Sequence, residues 1–200
     1  MKNALLSLLL RLILFLPVTV KAQLSLRLGT YSSSLGNFKD STVEALKIAS
    51  FILSTTEFKD SVMKCKFKCS NLPSRAVNSC HSYIEGQRVL DSLFRYNDTL
   101  INIFIVPLPR LQRLLDRSPN IGFSSEGGYT ITTRTWYLRN GSPGLFVTAK
   151  YAAHLIHEYC HIRGYYHISG QQLGKDVAET IGKISGQILR RRISNNEPIK

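Results

Sequence analysis

Residues 157–167 read His157-Glu158-Tyr159-Cys160-His161-Ile162-Arg163-Gly164-Tyr165-Tyr166-His167, and no other stretch constrains the architecture as much. The pattern is H-E-x-x-H-x-x-G-x-x-H. On an α-helix, at about 100° per residue, His161 lies only about 40° round from His157 and one turn further on, so both imidazoles reach one ion. Glu158, about 100° from His157, stands beside that ion, where a carboxylate can take a proton from water. Gly164 can leave the helix with positive φ, so that the chain turns back and delivers His167 as a third ligand. Three protein ligands leave the fourth tetrahedral position open, as catalytic rather than structural zinc sites do. The preceding run, Val147-Thr148-Ala149-Lys150-Tyr151-Ala152-Ala153-His154-Leu155-Ile156, has no Gly or Pro and sets Val147, Tyr151, Leu155 and Ile156 near helical spacing. The expectation is one zinc ion per chain, held by His157, His161 and His167, with Glu158 as the catalytic base.

The segment resembles the zincin metallopeptidases, and in its eleven residues the metzincin branch. The likeness covers the active-site helix and its exit, with support from the strand before and the helix after. It implies that His157, His161 and His167 hold zinc and Glu158 activates water, for hydrolysis of a peptide or protein substrate. It also implies an α+β fold, a small zincin-like domain with a mixed twisted sheet, an active-site helix and a C-terminal helix. Zincins offer an edge strand to the bound peptide; Tyr129 to Arg139 is the candidate. Trp136 and Arg134 or Arg139 then face substrate, or Trp136 packs in the core and the arginines are solvated. Gly128-Tyr129-Thr130 and Arg134-Thr135-Trp136 are also similar to a strand that precedes such a histidine motif in small exported bacterial proteins. One feature departs from the metzincin pattern: a methionine turn follows the third histidine there, whereas this chain has only Met1 and Met63, and 33 residues follow His167.

Two rival functions share the motif. The H-x3-H-x5-H spacing resembles a metal-dependent bacterial endoribonuclease family of rRNA maturation; that family usually lacks the glutamate and is cytoplasmic, so Glu158 and the N-terminus argue against it. A non-catalytic, zinc-stabilised binding module is the other, favoured if a cysteine or Glu179 closes the fourth position.

Several residues compete for the site. His154 lies about 60° from His157, but three ligands on one straight helix from 154 to 161 spread over about 10 Å and cannot meet at one ion. It reads as a core residue or as support for the ligands. Glu179 falls 18 residues after His161, where gluzincins place a glutamate ligand, yet Asp176-Val177-Ala178-Glu179 is also a capping box. Asp176 can alternatively orient a ligand histidine. Tyr165 and Tyr166 either stabilise an oxyanion or pack, and His81 reads as a surface or helix residue.

The N-terminus carries Lys2, an apolar run from Ala4 to Val20 interrupted by Arg11, and Val20-Lys21-Ala22 as a cleavage site. This predicts a signal peptide over 1–22, a single catalytic domain over 23–200, and a secreted or periplasmic protein; an uncleaved membrane anchor is the alternative. The net charge is +13, and +10 without Lys2, Arg11 and Lys21. Such a balance suits a solvated basic protein or one drawn to anionic surfaces, and with export it makes nucleic acid an unexpected partner. Of Cys65, Cys69, Cys80 and Cys160, the first three lie close enough for one disulfide. Cys160 faces the core side of the motif helix and reads as a buried thiol. Cys65 or Cys69 as a latency plug on the metal is conceivable, but nothing in the sequence demands it.

Periodicity predicts strands at Leu24 to Thr30, at Leu100 to Val106 (apolar throughout, hence buried) and at Tyr129 to Arg139. Helices are expected from a capping box at Ser41-Thr42-Val43-Glu44 through Ser54, over Thr56 to Lys64, over Ser74 to Glu85 with Gly86 as its stop, and over Val177 to Arg191. Residues 31–40, 118–128 and 140–144 read as loops or turns, the first two able to move over the site.

Overall fold

A computed structural model describes residues 24–31, 36, 38–72, 76, 80, 82–107, 122–124, 128–139, 144–168 and 174–200, without the side chains of Trp136 and Arg139. The expected signal peptide over 1–22, His81, the turn residues 140–143, most of the 118–128 loop and the orientation of Trp136 and Arg139 fall outside that description. The fold is mixed α+β with a twisted, open sheet and a C-terminal helix. In chain order the elements are β1 (Ser25–Tyr31), α1 (Lys39–Ser54), α2 (Thr56–Met63), β2 (Lys66–Lys68), a 3-10 turn (Cys69–Asn71), β3 (Tyr83–Glu85), α3 (Gly86–Leu93), β4 (Asp98–Val106), β5 (Gly122–Ser124), β6 (Thr130–Arg134), α4 (Thr135–Arg139), α5 (Leu145–Ile162) and α6 (Val177–Ser194).

The main sheet runs β1-β4-β6-β5. β1, β4 and β6 are parallel, and β5 closes the edge antiparallel to β6, with Gly122 opposite Thr133 and Ser124 opposite Ile131. Helices α1 and α5 cover one face, and α6 packs along α5. Their apolar stripes meet Leu26, Ile101, Ile103, Ile105 and Ile131 in one buried core. β2 and β3 form a separate antiparallel pair.

Four expectations are corrected. β4 is buried on one face only: Thr99, Ile101, Ile103 and Ile105 point inward, while Leu100 and Phe104 are 53% and 38% exposed, so the strand alternates despite its apolar composition. α1 begins at Lys39 with Phe38 as its cap, because Thr42 is buried and turns its hydroxyl back to the Phe38 carbonyl (2.7 Å); the expected capping box does not form. The helix expected over 74–85 ends instead as strand β3, and Gly86 starts a helix rather than stopping one. Gly86 is there for close approach: its N–H reaches the Cys65 carbonyl at 3.1 Å, and a Cβ would stand 1.9 Å from the Val62 carbonyl oxygen.

Lastly, the strand expected over 129–139 is split into β6 and α4. Tyr137 and Leu138 fold onto the core, and the Tyr137 hydroxyl donates to the Lys150 carbonyl of α5 at 3.2 Å. Docking on α5 therefore overrides the alternating pattern. β6 is also interior, so it is not an edge strand as expected; the edges of the described sheet are β1 and β5.

Candidate metal centre

α5 carries His154, His157, Glu158 and His161, and its C-terminus decides where the next histidine goes. Tyr165 N–H bonds the Cys160 carbonyl (3.1 Å) and Gly164 N–H bonds the His161 carbonyl (2.9 Å), which is a Schellman termination. Gly164 has φ 90°, the left-handed conformation the sequence predicted for it. The chain then turns back, Tyr165 enters the core, and Tyr166 N–H is caught by the Asn71 carbonyl at 2.7 Å. His167 follows one residue later.

The three imidazoles converge. His161 Nε2 and His167 Nε2 are 3.2 Å apart, and one nitrogen from each of His157, His161 and His167 lies within 4.8 Å of the other two. Nitrogens bound tetrahedrally at ~2.0–2.1 Å from zinc stand roughly 3.3 Å apart, so little closure is needed. The outer ring atoms fix the tautomers. His161 Nδ1 faces the Tyr165 carbonyl at 2.6 Å and His167 Nδ1 faces Asp176 Oδ2 at 3.1 Å; both partners only accept, so both Nδ1 atoms donate. In each neutral ring the lone pair is then on Nε2, turned into the cluster. His157 is hydrogen-bonded by the Ala178 backbone, and Gly182 lets α6 approach it: a Cβ there would lie 3.1 Å from the His157 Cβ.

Asp176 has the two roles the sequence offered for it. Its Oδ1 accepts from Glu179 N–H as the cap of α6, while Oδ2 accepts from His167 and from Ile168 N–H. The Glu179 carboxylate stands 4.0 Å from His167 Nδ1, on the ring edge away from the cluster. His154 stays out of the ligand set, with Thr133 Oγ1 3.5 Å from its Nε2 and Glu158 Oε1 3.8 Å from its Nδ1. Cys69 pairs with Cys80, Cys160 is buried, and the Cys65 thiol donates to the Ser61 carbonyl. Among the described residues, the group able to reach one ion is therefore the three histidines.

Glu158 is 3% exposed, and the Ser124 hydroxyl lies 2.8 Å from its Oε2. Burial pushes its carboxyl up to about 7, with the Ser124 hydrogen bond pulling the other way. Burial, reinforced by the neighbouring rings, pulls His157 down to about 4 and His154 down to about 3. His161 is lowered mainly by burial, whereas the hydrogen bond to Asp176 raises His167. Burial thus favours the neutral, metal-binding form of His157 and His161, while Asp176 favours the charged form of His167 in the metal-free protein.

Sequence reasoning missed Ser124, Asn71 and Gly182. Ser124 meets Glu158 across 34 positions, and Asn71 Oδ1 accepts from Val177 N–H across 106, so no local spacing announces either. No protein-family model, curated protein or solved structure matches the chain. What stands is a partly buried three-histidine cluster consistent with a catalytic metal site and with metal-dependent hydrolysis in general, its spacing loosely that of a zincin site.

Proposed function

We propose that this chain is an exported zinc-dependent hydrolase, a metallopeptidase that takes one zinc on His157, His161 and His167 and uses Glu158 as its base. The observation that carries the proposal is the convergence of three histidine nitrogens next to a buried, hydroxyl-held carboxyl group. The donor set suits the ion: three imidazoles, His161 and His167 with their Nε2 atoms 3.2 Å apart and their outer nitrogens anchored by a carbonyl and a carboxylate. Bound there, zinc supplies Lewis acidity that acidifies water and polarises a carbonyl.

The remaining work falls to the chain. Glu158 accepts the proton of the attacking water and returns it to the leaving amine. In the metal-free protein burial holds this carboxyl up at about 7, and a cation on the histidines would favour its ionised, proton-accepting form. Ser124 keeps the carboxylate oriented, and its strand β5, the antiparallel edge of the sheet, offers backbone groups to an extended substrate segment. This reading moves the substrate edge from the 129–139 stretch to residues 122–124.

Elemental mass spectrometry of the purified protein tests the ligand set. About one zinc per chain is expected, lost or much weakened in His167→Ala. Zinc that survives the change moves the third ligand elsewhere, and none after reconstitution ends the proposal. Glu158→Gln is expected to keep its zinc and lose ~10²–10⁴ in hydrolytic rate on a peptide library. An unimpaired variant would overturn the role of the base.

A further inference from the structure

Beyond His157 the seam between α5 and α6 widens into a groove of about 300 Å³, lined by Phe146, Ala149, Ala153 and Leu189 with Lys150 and Arg190 beside them. Small residues make it: a Cβ on Gly186 would come no closer than 3.8 Å to the Ala153 Cβ. Ala153, Lys150 and Phe146 all fall within about 40° of His157 around α5, so groove and ligands share one helix face. At the first turn of α5, Leu145 and Phe146 are 50% and 57% exposed.

Along the groove itself the charge has one sign; Glu179, partly exposed beside His167, lies beyond its end. From 145 to 157 and from 180 to 194 the charged residues are Lys150, Lys183, Arg190, Arg191 and Arg192, with no Asp or Glu. Arg191 and Arg192 are engaged by Glu57 and Glu197. Lys150, Lys183 and Arg190 are exposed, and no carboxylate among the described residues pairs with them. An exposed apolar pair flanked by Lys150 and Arg190, with Lys183 further along α6, fits the boundary between lipid headgroups and acyl chains.

We propose that this face docks on an anionic phospholipid membrane. Leu145 and Phe146 enter the headgroup layer, and Lys150, Lys183 and Arg190 meet lipid phosphates. Docking this way turns the histidine-bearing face of α5 toward the bilayer. The proposal stands apart from the hydrolase reading, since it needs neither metal nor activity.

The test is co-sedimentation with vesicles in metal-free buffer. It uses the chain from Gln23 onward, which holds every described core residue, Leu24 to Ile199, without the apolar leader. Binding is expected to vesicles of phosphatidylglycerol with phosphatidylcholine and to be slight on phosphatidylcholine alone. Leu145→Ser with Phe146→Ser is expected to cut partitioning at least about tenfold. Lys150→Gln with Arg190→Gln should lower it roughly 25-fold, at about fivefold per cation. Lys47→Gln with Lys64→Gln removes the same charge elsewhere and should leave binding within about twofold. Unfolding midpoints check that each variant keeps its fold. No binding to phosphatidylglycerol vesicles overturns the proposal. So does an equal loss in the Lys47/Lys64 pair, which would assign binding to net charge rather than to this face.

Discussion

Asp176 joins three tasks in one buried carboxylate: it caps α6, holds Ile168 N–H and orients His167. Asp176→Asn keeps an acceptor for the cap but weakens the charge-assisted bond to the imidazole. Zinc affinity is expected to fall about 10- to 100-fold with the fold intact, read by chelator competition. The buried rings also set an acid limit on the metal-free protein. His157 and His154 have pKa values depressed to about 4 and about 3, so the stability they contribute is full above about 6.5 and is lost as pH falls through those values. Glu158 acts in the opposite sense: its raised pKa penalises the fold as pH rises from 4.5 to about 7, offsetting only part of the histidine effect. Urea midpoints measured without metal are therefore expected to drop steadily between pH 6.5 and pH 4. At this scale the three clustered histidines, the turn at Gly164 and the cap at Asp176 were legible because local spacing specifies each. Ser124 and Asn71 were not, because only tertiary folding brings them in.

Among the elements, the strands and helices whose apolar period agrees with their burial were readable: β1, α2, α5 and α6. Those that failed did so where another element intrudes. Thr42 is drawn into the core and shifts the start of α1, while α4 forms because Tyr137 docks on α5. β5 is three residues long, and its pairing with β6 leaves no local trace in the sequence. Gly86 is the sharpest case, since the residue read as a helix stop is a contact point between α3 and the end of α2. Gly86→Ala is expected to destabilise the fold by about 3 kcal/mol in denaturant titration, because the Val62 carbonyl is backbone and cannot step aside. A stabilised or neutral variant would contradict the packing described between these two helices.

On the scale of the whole molecule, distant parts of the chain share the work of building the cluster. α5 supplies two of the clustered histidines, the loop after Gly164 supplies the third, and α6 braces them. The Cys69–Cys80 bridge closes a loop of sequence separation 11 right at the 3-10 turn that holds Asn71. Asn71 in turn grips both sides of the His167 segment: its carbonyl takes Tyr166 N–H, its Nδ2 donates to the Lys175 carbonyl and its Oδ1 accepts from Val177 N–H. Reducing that bridge is expected to cost about 2–3 kcal/mol of stability. Metal affinity should fall with it, as titration with and without reductant would reveal. A bridge that only stiffens the chain would lower stability and leave affinity alone. Because the Asn71 clasp ties the bridge to the His167 segment, the coupling is reciprocal: whatever the bridge adds to metal affinity, a bound metal would return as resistance of the bridge to reduction.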